Sequence, residues 1–142
     1  MLRLVVLLVL LAASPAATAD LRGPVEARVV RVVDGDTFEA DALVWPGHLV
    51  RVKVRIRGID APELRSTCPT EKLAAAIARD ALSNLIEGDA VQVHNVGADK
   101  YFGRVIADVT TRNGGDVAAR LLAMEVARRY DGGRRASACL GG

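Results

Sequence analysis

Residues 50–63 read VRVKVRIRGIDAPE, and this stretch decides the fold. From Val50 to Arg57 aliphatic and basic side chains alternate strictly. Because successive side chains of a strand point to opposite faces, the pattern predicts a β-strand with one face on the core and one basic face. Asp60-Ala61-Pro62-Glu63 ends the strand, and Pro62 fixes its own φ and holds Ala61 extended. Two carboxylates therefore project from a rigid turn.

Four other segments have the composition of strands. Residues 25–33 are rich in Val and Arg and break at Asp34-Gly35, a dipeptide that favours a hairpin turn. The next strand is predicted at residues 37–40, followed by a loop at 42–48 because Trp45-Pro46-Gly47 is a turn signal. Two more strands are predicted at residues 90–96 and 104–110.

Two helices complete the predicted secondary structure. The first opens at Pro69 and ends at Gly88, and the second runs from the N-cap Asp116 to about Met124. The apolar positions of the first helix recur every three or four residues: Ala74, Ile77, Ala78, Ala81, Leu82 and Leu85. A small sheet with helices avoids open edges by curling into a barrel. We predict an α+β fold, a five-stranded OB-fold β-barrel with two to three helices.

The N-terminus has the pattern of a secretory signal. Arg3 provides the positive charge, residues 4–13 the apolar segment, and Ala17-Thr18-Ala19 the cleavage site. The apolar run is about half the length that a spanning helix needs. We expect residues 1–19 to be a signal peptide and residues 20–142 to form one exported domain, monomeric, periplasmic or secreted, without stable membrane association.

Net charge alone indicates no particular partner. Residues 20–142 contain 18 basic and 17 acidic residues, because the signal removes only Arg3. Attraction to a polyanion must therefore come from the local placement of charges.

Cys68 and Cys139 are the only cysteines of the chain. In an oxidising compartment an even pair is most simply a disulfide, which would tie down the C-terminal tail. The alternative is two unpaired thiols, because spacing alone does not fix connectivity.

The acidic turns and one arginine suggest a reaction. Carboxylates at Asp34, Asp36, Asp60 and Glu63 are hard oxygen ligands for a divalent cation, and Arg55 could bind a phosphate through two parallel hydrogen bonds. Together they describe a metal-assisted phosphodiesterase. Each feature alone has a simpler interpretation: a hairpin turn at Asp34-Gly-Asp, a capped strand exit at Asp60, or a solvated arginine at position 55.

Three segments, in this order, resemble the signature motifs of the staphylococcal nuclease (thermonuclease) family: Asp34-Gly-Asp-Thr37, Arg55-Ile-Arg-Gly-Ile-Asp-Ala-Pro-Glu63 and Asp99-Lys-Tyr-Phe-Gly-Arg104. The resemblance implies that Asp36, Asp60 and the main-chain carbonyl of Ala61 bind Ca²⁺, with Asp34 nearby. It also implies that Glu63 acts on the attacking water and that Arg55 and Arg104 bind the scissile phosphate.

The same resemblance implies that Tyr101 and the neighbouring Lys100 bind the substrate. An exposed aromatic there could stack on bases without sequence preference, although an ordinary loop tyrosine is equally consistent with the sequence. Phe102 is an extra residue in this turn, so the reach of Arg104 depends on how the turn absorbs it. Glu125 stands where family members commonly have Gly after the second helix.

The predicted function is therefore an exported, calcium-dependent endonuclease that hydrolyses DNA and RNA with little sequence preference, leaving 3′-phosphate ends as the resemblance implies. The alternative is a non-catalytic OB-fold module that binds single-stranded nucleic acid or a protein partner.

Overall fold

The computed structural model describes residues 20–135 and residue 139. The predicted signal peptide, residues 1–19, lies outside the described residues, as do residues 136–138 and 140–142. Within the described part, no helix is both long and apolar enough to cross a bilayer.

Five strands close into a barrel, which confirms the predicted α+β OB-type fold. The elements in chain order are β1 (Val25–Asp34), β2 (Thr37–Trp45), β3 (His48–Ile56), β4 (Ile59–Asp60), α1 (Pro69–Ile86), β5 (Ala90–Ala98), β6 (Arg104–Thr111), α2 (Val117–Ala123) and β7 (Arg128–Arg129). The barrel order is β1-β2-β3-β6-β5, and β5 pairs back with β1. All neighbours are antiparallel except β3 and β6, which run parallel.

The barrel core is aliphatic with one central aromatic, Phe38. Helix α1 covers the barrel with a face spaced at three and four residues, and its buried apolar positions are Ala75, Ala78, Leu82 and Ile86. Ala78 and Leu82 were predicted on this face. Ile77 was predicted there wrongly, because the buried face is rotated and leaves Ile77 exposed.

Strands β2 and β3 extend further than the sequence indicates. The predicted loop at residues 42–48 is wrong, because β2 continues to Trp45 and β3 begins at His48, leaving only Pro46-Gly47 as the turn. Gly47 has φ +77°, the left-handed region that glycine adopts without cost. Strand β3 pairs with β6 only from Lys53 onward, so the outer hairpin lacks a second neighbour. Val50, predicted in the core, is consequently exposed.

The β1–β2 turn lies directly against α1 and the end of β4. A Cβ added to Gly35 would lie 2.5 Å from the Cβ of Ala78 and 2.7 Å from that of Ala61. Because any side chain at position 35 would overlap both neighbours, glycine is required for this approach. The close contact brings the acidic β1–β2 turn next to the turn that carries Asp60 and Glu63.

The C-terminal segment is fixed to the barrel at several points. Helix α2 ends in a Schellman motif, in which Val126 N donates to Leu121 O and Glu125 N donates to Leu122 O. Glu125 takes the left-handed conformation with φ +58°, the role that glycine usually fills. Strand β7, which the sequence does not reveal, then pairs with β4.

A disulfide joins Cys68, the residue that precedes α1, to Cys139, with their Cα atoms 6.3 Å apart. The predicted bridge is confirmed, and the alternative of two free thiols is wrong.

Candidate active site

The site is organised around a buried ion pair between Arg55 of β3 and Asp36 in the turn before β2. Arg55 Nη1 donates to Asp36 Oδ2 at 2.9 Å, and Nη2 donates to the carbonyl of Ile59 at 3.2 Å and to Asp60 Oδ1 at 3.4 Å. Arg55 is 6% exposed, so the alternative interpretation, a solvated arginine, is wrong. Two carboxylates from separate turns therefore share one guanidinium.

The carboxylate of Asp36 accepts hydrogen bonds from three donors. Besides Arg55, its Oδ2 accepts from the backbone N–H of Ala61 at 3.0 Å, and its Oδ1 accepts from the Thr37 hydroxyl at 2.8 Å. The Asp36 N–H itself donates to Asp34 Oδ1 at 3.4 Å. These bonds fix the orientation of Asp36 and tie the β1–β2 turn to the start of the Ala61-Pro62-Glu63 turn.

Asp34 lies close enough to Asp36 for the negative charge of Asp36 to affect its pKa. Burial, followed by the negative charge of Asp36, raises the pKa of Asp34 to about 6. Burial is the larger cause, and the neighbouring Asp36 carboxylate adds to it.

Asp60 is contacted by three arginines. Arg55 and the Nε of Arg135, at 3.2 Å, approach Oδ1, while Arg128 Nε lies 3.9 Å from Oδ2. Arg135 also pairs with Glu63, whose side chain is half exposed. Burial disfavours the charge of Arg135, but the carboxylates of Asp60, Glu63 and Asp36 raise its pKa above the usual value.

Arg104 stands at the start of β6, across the cleft. Its Nε donates to Asp99 Oδ2 at 2.7 Å, and its guanidinium carbon lies 4.6 Å from the centre of the Tyr101 ring. Burial raises the pKa of Asp99, but the hydrogen bond and charge of Arg104 outweigh it and lower that pKa overall. Lys100 approaches the same ring, with Nζ 5.1 Å from its centre.

The extra residue Phe102 does not displace Arg104. Phe102 is fully exposed, and Gly103, with φ +80°, turns the chain back into β6. Arg104 pairs in register with Lys53 and still lines the cleft. The turn absorbs the insertion by projecting it into solvent.

An open cleft of about 1160 Å³ brings most of the predicted site residues together. The predicted residues that line it are Asp34, Asp36, Arg55, Ala61, Glu63, Lys100, Tyr101 and Arg104. Asp60 lies instead in an adjoining recess of about 210 Å³, which shares Ala61, Glu63 and Arg135 with the cleft. Cys68 and Cys139 form the bridge outside both.

The residues predicted to bind a divalent cation fit it by chemistry but are not assembled around one. Asp36, Asp60 and Asp34 offer only hard oxygen atoms, the donors that Ca²⁺ prefers. Nevertheless, no three carboxylate, imidazole or thiol groups among residues 20–135 and Cys139 converge as a ready ligand set. Arginines pair with Asp36 and Asp60 instead. A cation that bound Asp60 would therefore have to displace Arg135.

Sequence reasoning missed two cleft residues, Tyr130 and Arg135. Tyr130 follows β7 and places its ring 5.7 Å from the guanidinium carbon of Arg55. Arg135 had only indirect signals, the Gly132-Gly133 pair before it and Cys139 after it. Neither belongs to one of the three motif segments.

Comparison with known proteins agrees with the motifs. Residues 53–138 match the staphylococcal nuclease homologue family. A protein of Escherichia coli described as an uncharacterized endonuclease is 32% identical over 103 residues, which cover 72% of this chain and 57% of that protein. The chain thus spans less than two thirds of that relative's length.

Proposed function

Since the chain belongs to the staphylococcal nuclease homologue family, we propose that it is an exported, calcium-dependent endonuclease that hydrolyses phosphodiester bonds of DNA and RNA. The observation that carries the proposal is that Arg55, Glu63 and Arg104 line one cleft beside Asp36 and Asp34. The description of the relative as an endonuclease supports the same reaction.

The charge of the cleft suits a polyanion. Six basic residues and four acidic residues line it, although the whole chain is nearly balanced. The basic residues are Lys53, Arg55, Arg65, Lys100, Arg104 and Arg135. Local placement of these cations supplies the attraction to phosphate that net charge does not.

Asp36, Asp60 and the carbonyl of Ala61 are the proposed calcium ligands, with Asp34 close by. When bound there, Ca²⁺ would neutralise phosphate charge and help to orient the attacking water. The raised pKa of Asp34, which follows from burial and the charge of Asp36, supports a place for a cation.

The chain's own residues supply proton transfer and charge stabilisation. Glu63, with a half-exposed side chain, is reachable by water and accepts its proton as the oxygen attacks phosphorus. Arg55 and Arg104 donate to the phosphate oxygens, whose negative charge grows in the transition state. The bond to the 5′ oxygen then breaks, and the leaving oxygen takes a proton from water, which gives a 3′-phosphate and a 5′-hydroxyl.

Low sequence specificity follows from the kind of contacts available. Tyr101 is half exposed at the cleft edge and is held by Arg104 and Lys100. An aromatic face stacks on any base, and the arginines contact phosphates that carry no sequence information.

The test is digestion of plasmid DNA and of RNA by the purified protein, with Ca²⁺ or with chelator, followed by analysis of the product ends. We expect both substrates to be cut only with Ca²⁺ and to carry 3′-phosphates. Binding of single strands without cleavage in Ca²⁺ would instead support the non-catalytic OB-fold module. Equal cleavage with chelator would reject the calcium role.

A further inference from the structure

Arg135 and Arg128 are the two exposed arginines among the three that contact Asp60, and of these two only Arg135 lines the cleft as well as the recess. Arg135 pairs with Asp60 and Glu63, yet its side chain is 39% exposed, against 7% for Arg55. Arg55 already directs its two terminal nitrogens at Asp36, Ile59 and Asp60. Arg135 therefore presents an accessible guanidinium to the cleft, whereas Arg55 is buried and Arg128 lines only the recess.

The backbone before Arg135 is shaped to bring it to this place. Tyr130 N donates to Gly58 O at 3.0 Å, which extends the pairing of β7 with β4. The Tyr130 hydroxyl then donates to Gly133 O at 2.8 Å. Gly132 and Gly133 have φ values of +105° and +100°, which allow the chain to turn back toward Asp60.

The disulfide limits how far Arg135 can move away. Cys139 follows Arg135 by four residues, a reach of about 14 Å at full extension. The bridge holds the Cα of Cys139 6.3 Å from that of Cys68, which precedes α1 and follows the Glu63 turn by only five residues. Without the bridge, the chain beyond β7 would lose this second anchor.

We propose that Arg135 is a third phosphate-binding residue of the cleft, kept within reach of a bound nucleic acid by the Cys68–Cys139 bridge. The inference rests on the proposed function, because it needs a polyanion in the cleft. A guanidinium presents the same planar pair of donors to a carboxylate and to a phosphate. Arg135 exchanges Asp60 and Glu63 for a phosphate oxygen when cation and substrate arrive.

The test is equilibrium binding of a fluorescent single-stranded phosphorothioate oligonucleotide, which keeps its charge and resists hydrolysis. Anisotropy is measured in Ca²⁺ over a range of salt concentrations. We expect Arg135→Ala to weaken binding about tenfold, as for a lost charge-assisted hydrogen bond. The slope of log K against log salt should fall by about 0.7, the value for one phosphate contact to a single strand.

Three further variants make the test specific. Arg134→Ala removes the exposed neighbouring charge and should leave affinity close to wild type. Arg135→Lys should recover part of the affinity, because lysine keeps the charge without the paired donors. Cys68→Ser with Cys139→Ser should reproduce the loss seen in Arg135→Ala.

Unchanged affinity and salt slope in Arg135→Ala would overturn the inference. Tighter binding would overturn it too, since Arg135 would then only compete with the ligand for the site. If thermal melting shows that the double cysteine variant is not folded, the result for Arg135→Ala alone decides whether the inference holds. Because binding is measured without cleavage, a protein that binds in this way but cuts nothing would refute the nuclease proposal and leave this one standing.

Discussion

Arg55 Nη1 lies 2.9 Å from Asp36 Oδ2, and both side chains are more than nine-tenths buried. The pair joins β3 to the turn at the start of β2, and both residues line the cleft. A buried guanidinium that compensates two carboxylates has a structural role as well as the catalytic role proposed for it.

Replacing Arg55 should therefore damage stability and activity together. Arg55→Ala would leave Asp36 and Asp60 without their shared partner, and loss of one member of a buried pair costs about 3–5 kcal/mol. We expect a lower urea midpoint for the metal-free protein and loss of cleavage. Arg55→Lys should recover part of the stability, whereas an unchanged midpoint in Arg55→Ala would contradict the pairing.

Replacing Arg104 should lower activity far more than stability. The Arg104 and Asp99 side chains are only 20% and 9% exposed, so Arg104→Ala should cost about 2 kcal/mol of stability, less than Arg55→Ala, while lowering the cleavage rate by two to three orders of magnitude. The control is Arg112→Ala, which removes an exposed arginine next to the end of the same strand. If the two variants are equally folded and cleave at the same rate, Arg104 has no part in the mechanism.

Glu125→Gly should stabilise the protein. Glu125 has φ +58° at the end of α2, and a left-handed conformation costs a residue with a Cβ about 1 kcal/mol more than glycine. Urea unfolding should give a gain of about that size. In the control Glu87→Gly, at φ −66° after α1, glycine should bring no gain. A destabilised Glu125→Gly variant would show that the side chain contributes more than the backbone strain removes.

Reduction of the disulfide should lower stability. In the chain-entropy model a bridge across 71 residues stabilises the fold by about 4 kcal/mol, an upper value. The urea midpoint should fall when a phosphine reductant is added. The double variant Cys68→Ser, Cys139→Ser should already have the lower midpoint and should not respond to reductant. A response in that variant would assign the effect to something other than the bridge.

The fold was largely predictable from local sequence patterns. Alternation in residues 50–57 predicted β3, and the spacing of Ala78 and Leu82 predicted the buried side of α1. Local patterns failed where distant segments decide burial. Alternation alone leaves Arg55 as a solvated arginine, because its burial depends on the β2–β3 register, which sets Thr37 opposite Arg55 and brings Asp36 to it. The same alternation predicts Val50 in the core, because it continues past the last pairing with β6.

The candidate site was predictable only within its motif segments. These segments named the acidic turns and Arg104, which the fold places around one cleft and its adjoining recess. Arg135 could not be found in this way, because its position depends on β7, on two glycines and on a disulfide between cysteines 71 residues apart in the sequence. No local pattern around Arg135 encodes the approach to Asp60.

The most direct measurement is the initial rate at which equal amounts of Glu63→Gln, Glu87→Gln and wild-type protein cut a labelled single-stranded oligonucleotide in Ca²⁺. We predict that Glu63→Gln is slower by at least about a hundredfold, as expected for a lost general base. Glu87→Gln, which changes an exposed glutamate outside the cleft, should match wild type. If Glu63→Gln and Glu87→Gln cut at the same rate, the assignment of hydrolysis to this cleft is wrong.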